Sequence, residues 1–331
     1  MASYIRRRKF LATLLGGAAV AWPLAARAQQ PVMPVIGYLG FTSPSDEVEM
    51  ISSVRKGLRE AGFDEGRNVS IEFRFAEFDV SRLPTFVAEF VSRKVTVIFA
   101  ASTAAALAAK TATSTVPIVF ATGADPIQSS LVARLNRPGG NLTGVSFFSP
   151  QMESKRLGLL NDLVPKADLI AVLLNPTNPF FENQLKDVNE ASRALGLKIH
   201  IETASNERNI TAAFNAFAQQ HAGAVLVGAD PYYYRQRALV IDPAVQLRLP
   251  AIYEWREFAE AGGLMSYGTV LTEAYKQAGD YVARILKGEN PADLPVMQSS
   301  KFEFVINLKT ARQIGIEVPP SLSARADEVI E

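Results

Sequence analysis

Asp125 and Asp230 occupy identical Gly-Ala-Asp-Pro tetrapeptides, each following a run of small and β-branched apolar residues. Asp before Pro suits a helix start, with the carboxylate capping free amides and the ring at the first helical position. A carboxylate has two oxygens, so one can cap while the other takes an ammonium or N–H donor of a ligand. Hydroxyl pairs form a second set. Thr42 and Ser43 in "GFTSPSDE", and Ser102 and Thr103 in "AASTAAALAAK", stand just ahead of helical patterns. Hydroxyls beside helix N-terminal amides suit a carboxylate, assisted by the helix dipole. Alone, each would be only a cap. Asn175, Thr177 and Asn178 in "LLNPTNPFF" add donors and acceptors. Tyr232, Tyr253 and Trp255, from "ADPYYY" and "YEWREF", add rigid faces for a flat ligand, and Glu254 with Arg256 a charged pair.

Catalysis finds little support in the same inventory. The only histidines are His200, in the strand-like "KIHIE", and His221, near a helix end; neither adjoins a nucleophile. There is no G-x-S-x-G elbow, Walker A sequence or H-E-x-x-H spacing. The chain has no cysteine, which excludes disulfides, thiolate chemistry and Cys-ligated metals. No cofactor or metal is expected. Net charge is +1, and the basic residues Arg6, Arg7, Arg8, Lys9 and Arg27 crowd the N-terminus. Beyond them acids outnumber bases, so no nucleic-acid partner is expected.

The elements that must position these residues alternate. From Pro34, short apolar strands such as "PVIGYLG", "VTVIFA" and "VPIVFAT" alternate with helical patterns, among them Glu47–Ala61 and a stretch read as helical from Asp125 to Leu135. "NRPGGNLTG" reads as a turn cluster closing the first unit. The rhythm then restarts with "DLIAVLLN", "LKIHIET", "GAVLVGA" and "PAIYE", an internal structural repeat. The pattern predicts an α/β chain of two lobes, each a parallel sheet with helices on both faces. In such sheets ligands bind at the carboxyl ends of the strands, where both Asp-Pro turns fall. The tail, "GGLMSYG", "LTEAYKQAGDYVARILKG" and "KFEFVINL", implies three crossings between lobes, near Gly144–Ser146, Ser266–Gly268 and Gln298–Lys301. The expected lobes are 34–145 plus 267–298 and 146–266 plus 299–331, joined by a three-segment hinge.

Residues 1–28 read as a cleavable signal peptide. "RRRKF" leads an apolar stretch ending in "ARAQQ", where Ala26 and Ala28 fit the A-x-A rule, so cleavage falls near Ala28. Arg7-Arg8-Lys9-Phe10-Leu11 fits twin-arginine export, with a Sec signal as the alternative. No Cys follows, so a lipid anchor there is excluded and the mature chain is expected free in the periplasm. No later segment is apolar enough to span a bilayer.

The leader "RRRKFLATLLGGAAVAWPLAARAQQ" and the motifs "RPGGNLTGV", "LNPTNP", "AGGLMSYG", "DYVARILKGENPADLPV" and "KFEFVINLKTARQIGIEVPPSL" together resemble the ABC-transporter substrate-binding family. Its Gram-positive relatives include tryptophan/tyrosine-binding lipoproteins, whose lipobox Cys is absent here. The resemblance covers nearly all of the chain after Pro34. It implies a type I periplasmic-binding-protein fold of two Rossmann-like lobes with parallel sheets joined by a three-segment hinge, a small-molecule ligand held between lobes and an ABC permease as partner, with the protein a monomer. The cleft candidates are then Thr42, Ser43, Ser102, Thr103, Asp125, Asn175, Asn178, Asp230, Tyr232, Tyr253, Glu254 and Trp255. An amino acid or other small, flat carboxylate is the expected ligand; a polar amide is the rival. Alternative roles are a ligand sensor for a signalling receptor and a periplasmic enzyme.

Overall fold

The computed structural model describes residues 33–147 and 152–331; the leader lies outside them. The first lobe runs β1 (Val35–Gly40), α1 (Val48–Glu60), β2 (Ser70–Phe75), α2 (Leu83–Ser92), β3 (Val97–Ala100), α3 (Thr103–Ala112), β4 (Ile118–Thr122) and β5 (Leu142–Ser146). The chain then crosses. The second lobe runs α4 (Met152–Leu163), β6 (Ile170–Leu174), α5 (Phe181–Leu195), β7 (Ile199–Thr203), α6 (Glu207–Gln219), β8 (Ala224–Val227) and α7 (Pro231–Arg235). It continues through α8 (Arg237–Gln246), β9 (Ala251–Tyr253), α9 (Arg256–Glu260) and β10 (Met265–Thr269). Next, α10 (Leu271–Leu286) and β11 (Met297–Gln298) return to the first lobe. Finally β12 (Phe302–Asn307), α11 (Leu308–Ile314), α12 (Pro320–Ser323) and β13 (Glu328–Ile330) finish the second.

The two sheets have orders β2-β1-β3-β4-β5-β11 and β7-β6-β8-β9-β10-β12-β13. The repeat read in the sequence is therefore a repeat of winding, each sheet starting second-first-third. Central pairings are parallel; β10 and β12 pair antiparallel. Both faces of each sheet are covered, which explains strands that are apolar at every position. Val97 and Phe99 face α1 and α10, whereas Ile98 and Ala100 face α2 and α3. In the second lobe Val172 and Leu174 pack under α4 and α5, and Ala171 and Leu173 under α6 and α8.

Two glycines let α1 and α10 approach backbone to backbone. A Cβ on Gly57 would strike the carbonyl oxygen of Lys276, and one on Gly279 the carbonyl oxygen of Val54. The obstacle is main chain, which a rotamer change cannot relieve. Gly279→Val should lower stability by about 1–3 kcal/mol, the usual range for an overpacked core, read as a lower urea midpoint. An unchanged midpoint would show that the helices separate freely.

Some elements differ from the sequence reading. Residues 126–130 form turns, and no helix spans 125–135. The Ser129 amide donates to Asp125 O and the Leu131 amide to Pro126 O, but Ser130 has φ +58° and breaks the helical path. Part of the supposed turn cluster forms β5, paired with β4 and β11. The strand Met265–Thr269, across which the spacing put a lobe boundary, lies wholly in the second sheet, so the chain returns to the first lobe after Thr269. The crossings bond to one another: Ser299 N to Ser146 O (2.8 Å), Val270 N to Lys301 O (3.1 Å) and Thr269 Oγ1 to Phe147 O (3.2 Å). No helix among the described residues is long and apolar enough to cross a membrane.

Candidate functional site

Segments leaving the carboxyl ends of β1, β3 and β4 meet those leaving β6, β8 and β9 around a cavity of about 950 Å³. In each sheet the strand order reverses between the first and third strands, the position at which such sheets leave a crevice.

On the first-lobe wall, Ser102 Oγ accepts the Ala105 amide (3.1 Å) and caps α3. Thr103 Oγ1 lies 2.6 Å from Thr122 Oγ1. The helix offers no acceptor for the Thr103 and Ala104 amides, so its positive end lies at the cavity. Below it Glu47, only 6% exposed, accepts from Tyr38 Oη (2.6 Å) and Thr42 Oγ1 (2.7 Å). Burial pushes the Glu47 carboxyl up, against the hydrogen bonds from Tyr38 and Thr42 that favour its charged form. Asp125 Oδ1 accepts the amides of Ile127 (2.8 Å) and Gln128 (3.2 Å). Phe41, Phe78 and Phe147 supply the apolar lining.

On the second-lobe wall, Asp230 is a tether. Its Oδ1 accepts Asn175 Nδ2 (3.0 Å), Tyr232 N (2.9 Å) and Tyr233 N (3.2 Å); its Oδ2 accepts Asn178 Nδ2 (2.7 Å). One carboxylate thus caps α7 and fastens the "NPTNP" loop beside it. Asn175 Oδ1 holds Thr177 through its amide and hydroxyl. Glu254, Trp255 and Tyr232 line the same wall. Burial raises the Glu254 carboxyl to about 8; Arg156 opposes that rise, and Glu153, Asp230 and Glu257 add to it.

Thr42, Ser102, Thr103, Asp125, Asn175, Asn178, Asp230, Tyr232, Glu254 and Trp255 all line the cavity. Two candidates do not. Ser43 turns its hydroxyl to Asp46 (2.6 Å) and outside the lining. Tyr253, 1% exposed, stacks on Phe258 at 4.8 Å and donates to Val240 O (3.3 Å). Strand alternation puts Tyr253 in the core beneath α8 and leaves the next residue, Glu254, for the cavity. Nor does Arg256 pair with Glu254: it holds Glu260, Glu303 and Glu328.

Sequence reasoning missed Glu47, Glu153 and Arg156. Glu47 reads as helix-dipole compensation at the start of α1. Glu153 and Arg156 form an i,i+3 pair (2.7 Å), which usually marks a solvated helix face; here Arg156 is completely buried at the cavity wall. The lobes also touch at the rim. Arg235 lies over the Phe78 ring at 4.4 Å, and Asn183 Nδ2 donates to Gln128 Oε1 (3.0 Å).

The model of a family described as ABC transporter substrate binding protein matches residues 41–330. The chain is 26% identical over 262 residues to a tyrosine-binding protein of Clostridioides difficile (strain R20291), covering 79% of this chain and 75% of that one. It superposes on a Streptococcus pneumonia ABC domain in complex with L-Trp with TM-score 0.81 and 27% identity, over 90% of this chain and 99% of that one. Against the ligand-free, open structure of a Clostridium difficile substrate binding protein with adhesive properties, the TM-score is 0.70 at 25% identity and the same coverage.

Proposed function

Because the chain belongs to the ABC transporter substrate-binding protein family, we propose that it captures an aromatic amino acid between its lobes and delivers it to an ABC importer. The observation that carries this reading is the cavity itself, shared by both lobes, polar at the strand exits and flanked by Phe41, Phe78, Tyr232 and Trp255. Named relatives support the ligand class: one is called tyrosine-binding and another was solved with L-Trp. The ligand carboxylate lies at the N-terminus of α3, with Thr103 and Ser102 beside it. Its ring lies among the aromatic side chains and its ammonium against the second lobe. Each lobe holds half of the contacts, so a ligand that touches both favours the closed arrangement by its differential affinity. The higher TM-score against the L-Trp complex than against the open structure fits a closed form. In this reading residues 1–28 direct export to the periplasm and are removed near Ala28, and the mature chain is a monomer that presents its closed form to a permease. The cleft binds without carrying out chemistry.

Thermal unfolding of the chain from Gln29, with and without candidate ligands, tests the reading. L-Trp or L-Tyr at 100 times its Kd should add about 2.7 kcal/mol, a clear rise in midpoint. L-Gln and L-Asn should add little, having no ring to cover the apolar wall. If no amino acid moves the midpoint, the assignment fails. Ser102 does the capping, so Thr103→Ala should cut affinity about tenfold while leaving α3 capped.

A further inference from the structure

The carboxylates around the cavity differ in what they have left to offer. Asp230 is engaged on both oxygens, and Glu47 by Tyr38 and Thr42. Asp125 receives the amides of Ile127 and Gln128, and Glu153 receives Arg156. Glu254 stands apart. Its Oε2 is withdrawn from solvent and has no hydrogen-bond partner among the described residues, yet the residue lines the cavity. Beside it Arg156 is 0% exposed and keeps Nε and Nη1 without a partner among the described residues. A dry acceptor and a dry donor at one wall are expensive to leave unmade, so the pair marks the place where a polar ligand group completes the structure.

The backbone pins Glu254 there. A Cβ on Gly268 would collide with the Glu254 carbonyl oxygen and come within 3.1 Å of its Cγ, so β10 closes off the side away from the cavity. Charged groups reach it from every neighbouring element: Arg156 and Glu153 on α4, Asp230 at the start of α7, and Glu257 on α9. Across the cavity stand Asp46, Glu47 and Asp125. Burial first, and then the acids Glu153, Asp230 and Glu257, raise the carboxyl's pKa to about 8 against the single opposing guanidinium, and the raised value favours the protonated form at neutral pH.

We propose that Glu254 receives the cationic group of the ligand and gives up a proton to solvent as that cation docks, so that capture releases one proton. This rests on the amino-acid reading of the cleft. In the exchange the O–H bond of the Glu254 carboxyl breaks, the proton passes to buffer, and the carboxylate left behind pairs with the incoming ammonium. One positive charge enters the wall as one leaves. The buried charge is unchanged, which avoids the large penalty of placing an ammonium against a neutral acid in a dry site. The ligand's own carboxylate is met by the positive end of α3. Because the free site must lose its proton, apparent affinity falls toward tenfold for each pH unit below about 8 and levels off above it.

Isothermal titration of the chain from Gln29 with L-Trp at pH 7, in phosphate and in imidazole, gives the proton count from the difference in apparent enthalpy between buffers. The expected result is close to one proton released per L-Trp bound. Glu254→Gln should bind at least tenfold more weakly, release no proton and lose the pH slope between pH 6 and 8. Glu257→Gln removes an acid that does not line the cavity but adds to the rise at Glu254, and should keep the release while moving the pH slope somewhat lower. L-Trp binding without proton release, or Glu254→Gln binding with wild-type affinity and slope, overturns the inference and leaves the amino-acid reading standing. Absence of binding by L-Trp and L-Tyr overturns both. If Glu254→Gln fails to fold, the wild-type proton count alone decides.

Discussion

Asp230→Ala should lower the stability of the unliganded chain by about 3–5 kcal/mol and abolish ligand capture. The substitution leaves the nearly buried Asn175 side-chain amide without its acceptor, takes one of two acceptors from that of Asn178, which keeps Ala229 O (3.0 Å), and removes the cap of α7. A hydrogen bond to a charged group is worth about 1.5–3 kcal/mol, and a cap about 1 kcal/mol. Capture fails for a separate reason. The carboxylate makes two of the ties between the loop after β6 and the turn after β8, and its loss leaves that wall of the cavity held only through Ala229 O, by Asn178 Nδ2 (3.0 Å) and Gln184 Nε2 (2.7 Å). A urea titration of the unliganded chain and a binding titration with L-Trp measure the two effects. Stability near wild type together with lost binding would mean that Asp230 contacts the ligand directly and that the network is incidental.

A loss of similar size is expected for Arg156→Met. The side chain that replaces the guanidinium fills space, but Glu153, 7% exposed, is left as an uncompensated buried charge. Breaking a buried pair on one side costs about 3–5 kcal/mol, whereas replacing both partners is often neutral. Glu153→Gln with Arg156→Met should therefore regain most of the lost stability. Binding of L-Trp should stay weak in the double variant, because without Arg156 the Glu254 carboxyl holds its proton more tightly against the incoming ammonium. Full recovery of both would make the pair a structural element of α4 with no part in the cleft. The two measurements thus separate a packing role from a ligand-facing one.

Much of the architecture was legible from periodicity. Every position of "VIFA", and every position of "DLIAVLLN" between its polar ends, is apolar because parallel strands covered on both faces have no solvent side, and that pattern needs no knowledge of neighbours. The Gly after α5 reads directly as a left-handed cap and has φ +67°. The Asp125–Leu135 segment misled because Asp-Pro begins a turn as readily as a helix. The path beyond Pro126 depends on Ser130, whose φ of +58° no pattern announces. β5 was hidden in "NLTGVS", whose strand character comes from the partners β4 and β11 on either side.

For the cleft, chain order and polarity located strand exits, and most candidates chosen on that ground line the cavity. Those choices could not separate Tyr253 from Glu254. One residue of register sends a side chain to the core or to the opening, and only the seated sheet fixes which. Nor could they find Arg156, whose partner Glu153 is local while its burial comes from elements distant in the chain. The sequence by itself determined the alternation of strands and helices, its repeated rhythm and the polar turns at strand ends, because those arise from local spacing and from which side chains avoid water. Tertiary structure alone decided which carboxylate is saturated and which keeps an open oxygen. That outcome depends on donors converging from β1, α4, α7 and the loop after β6, which no stretch of sequence holds together.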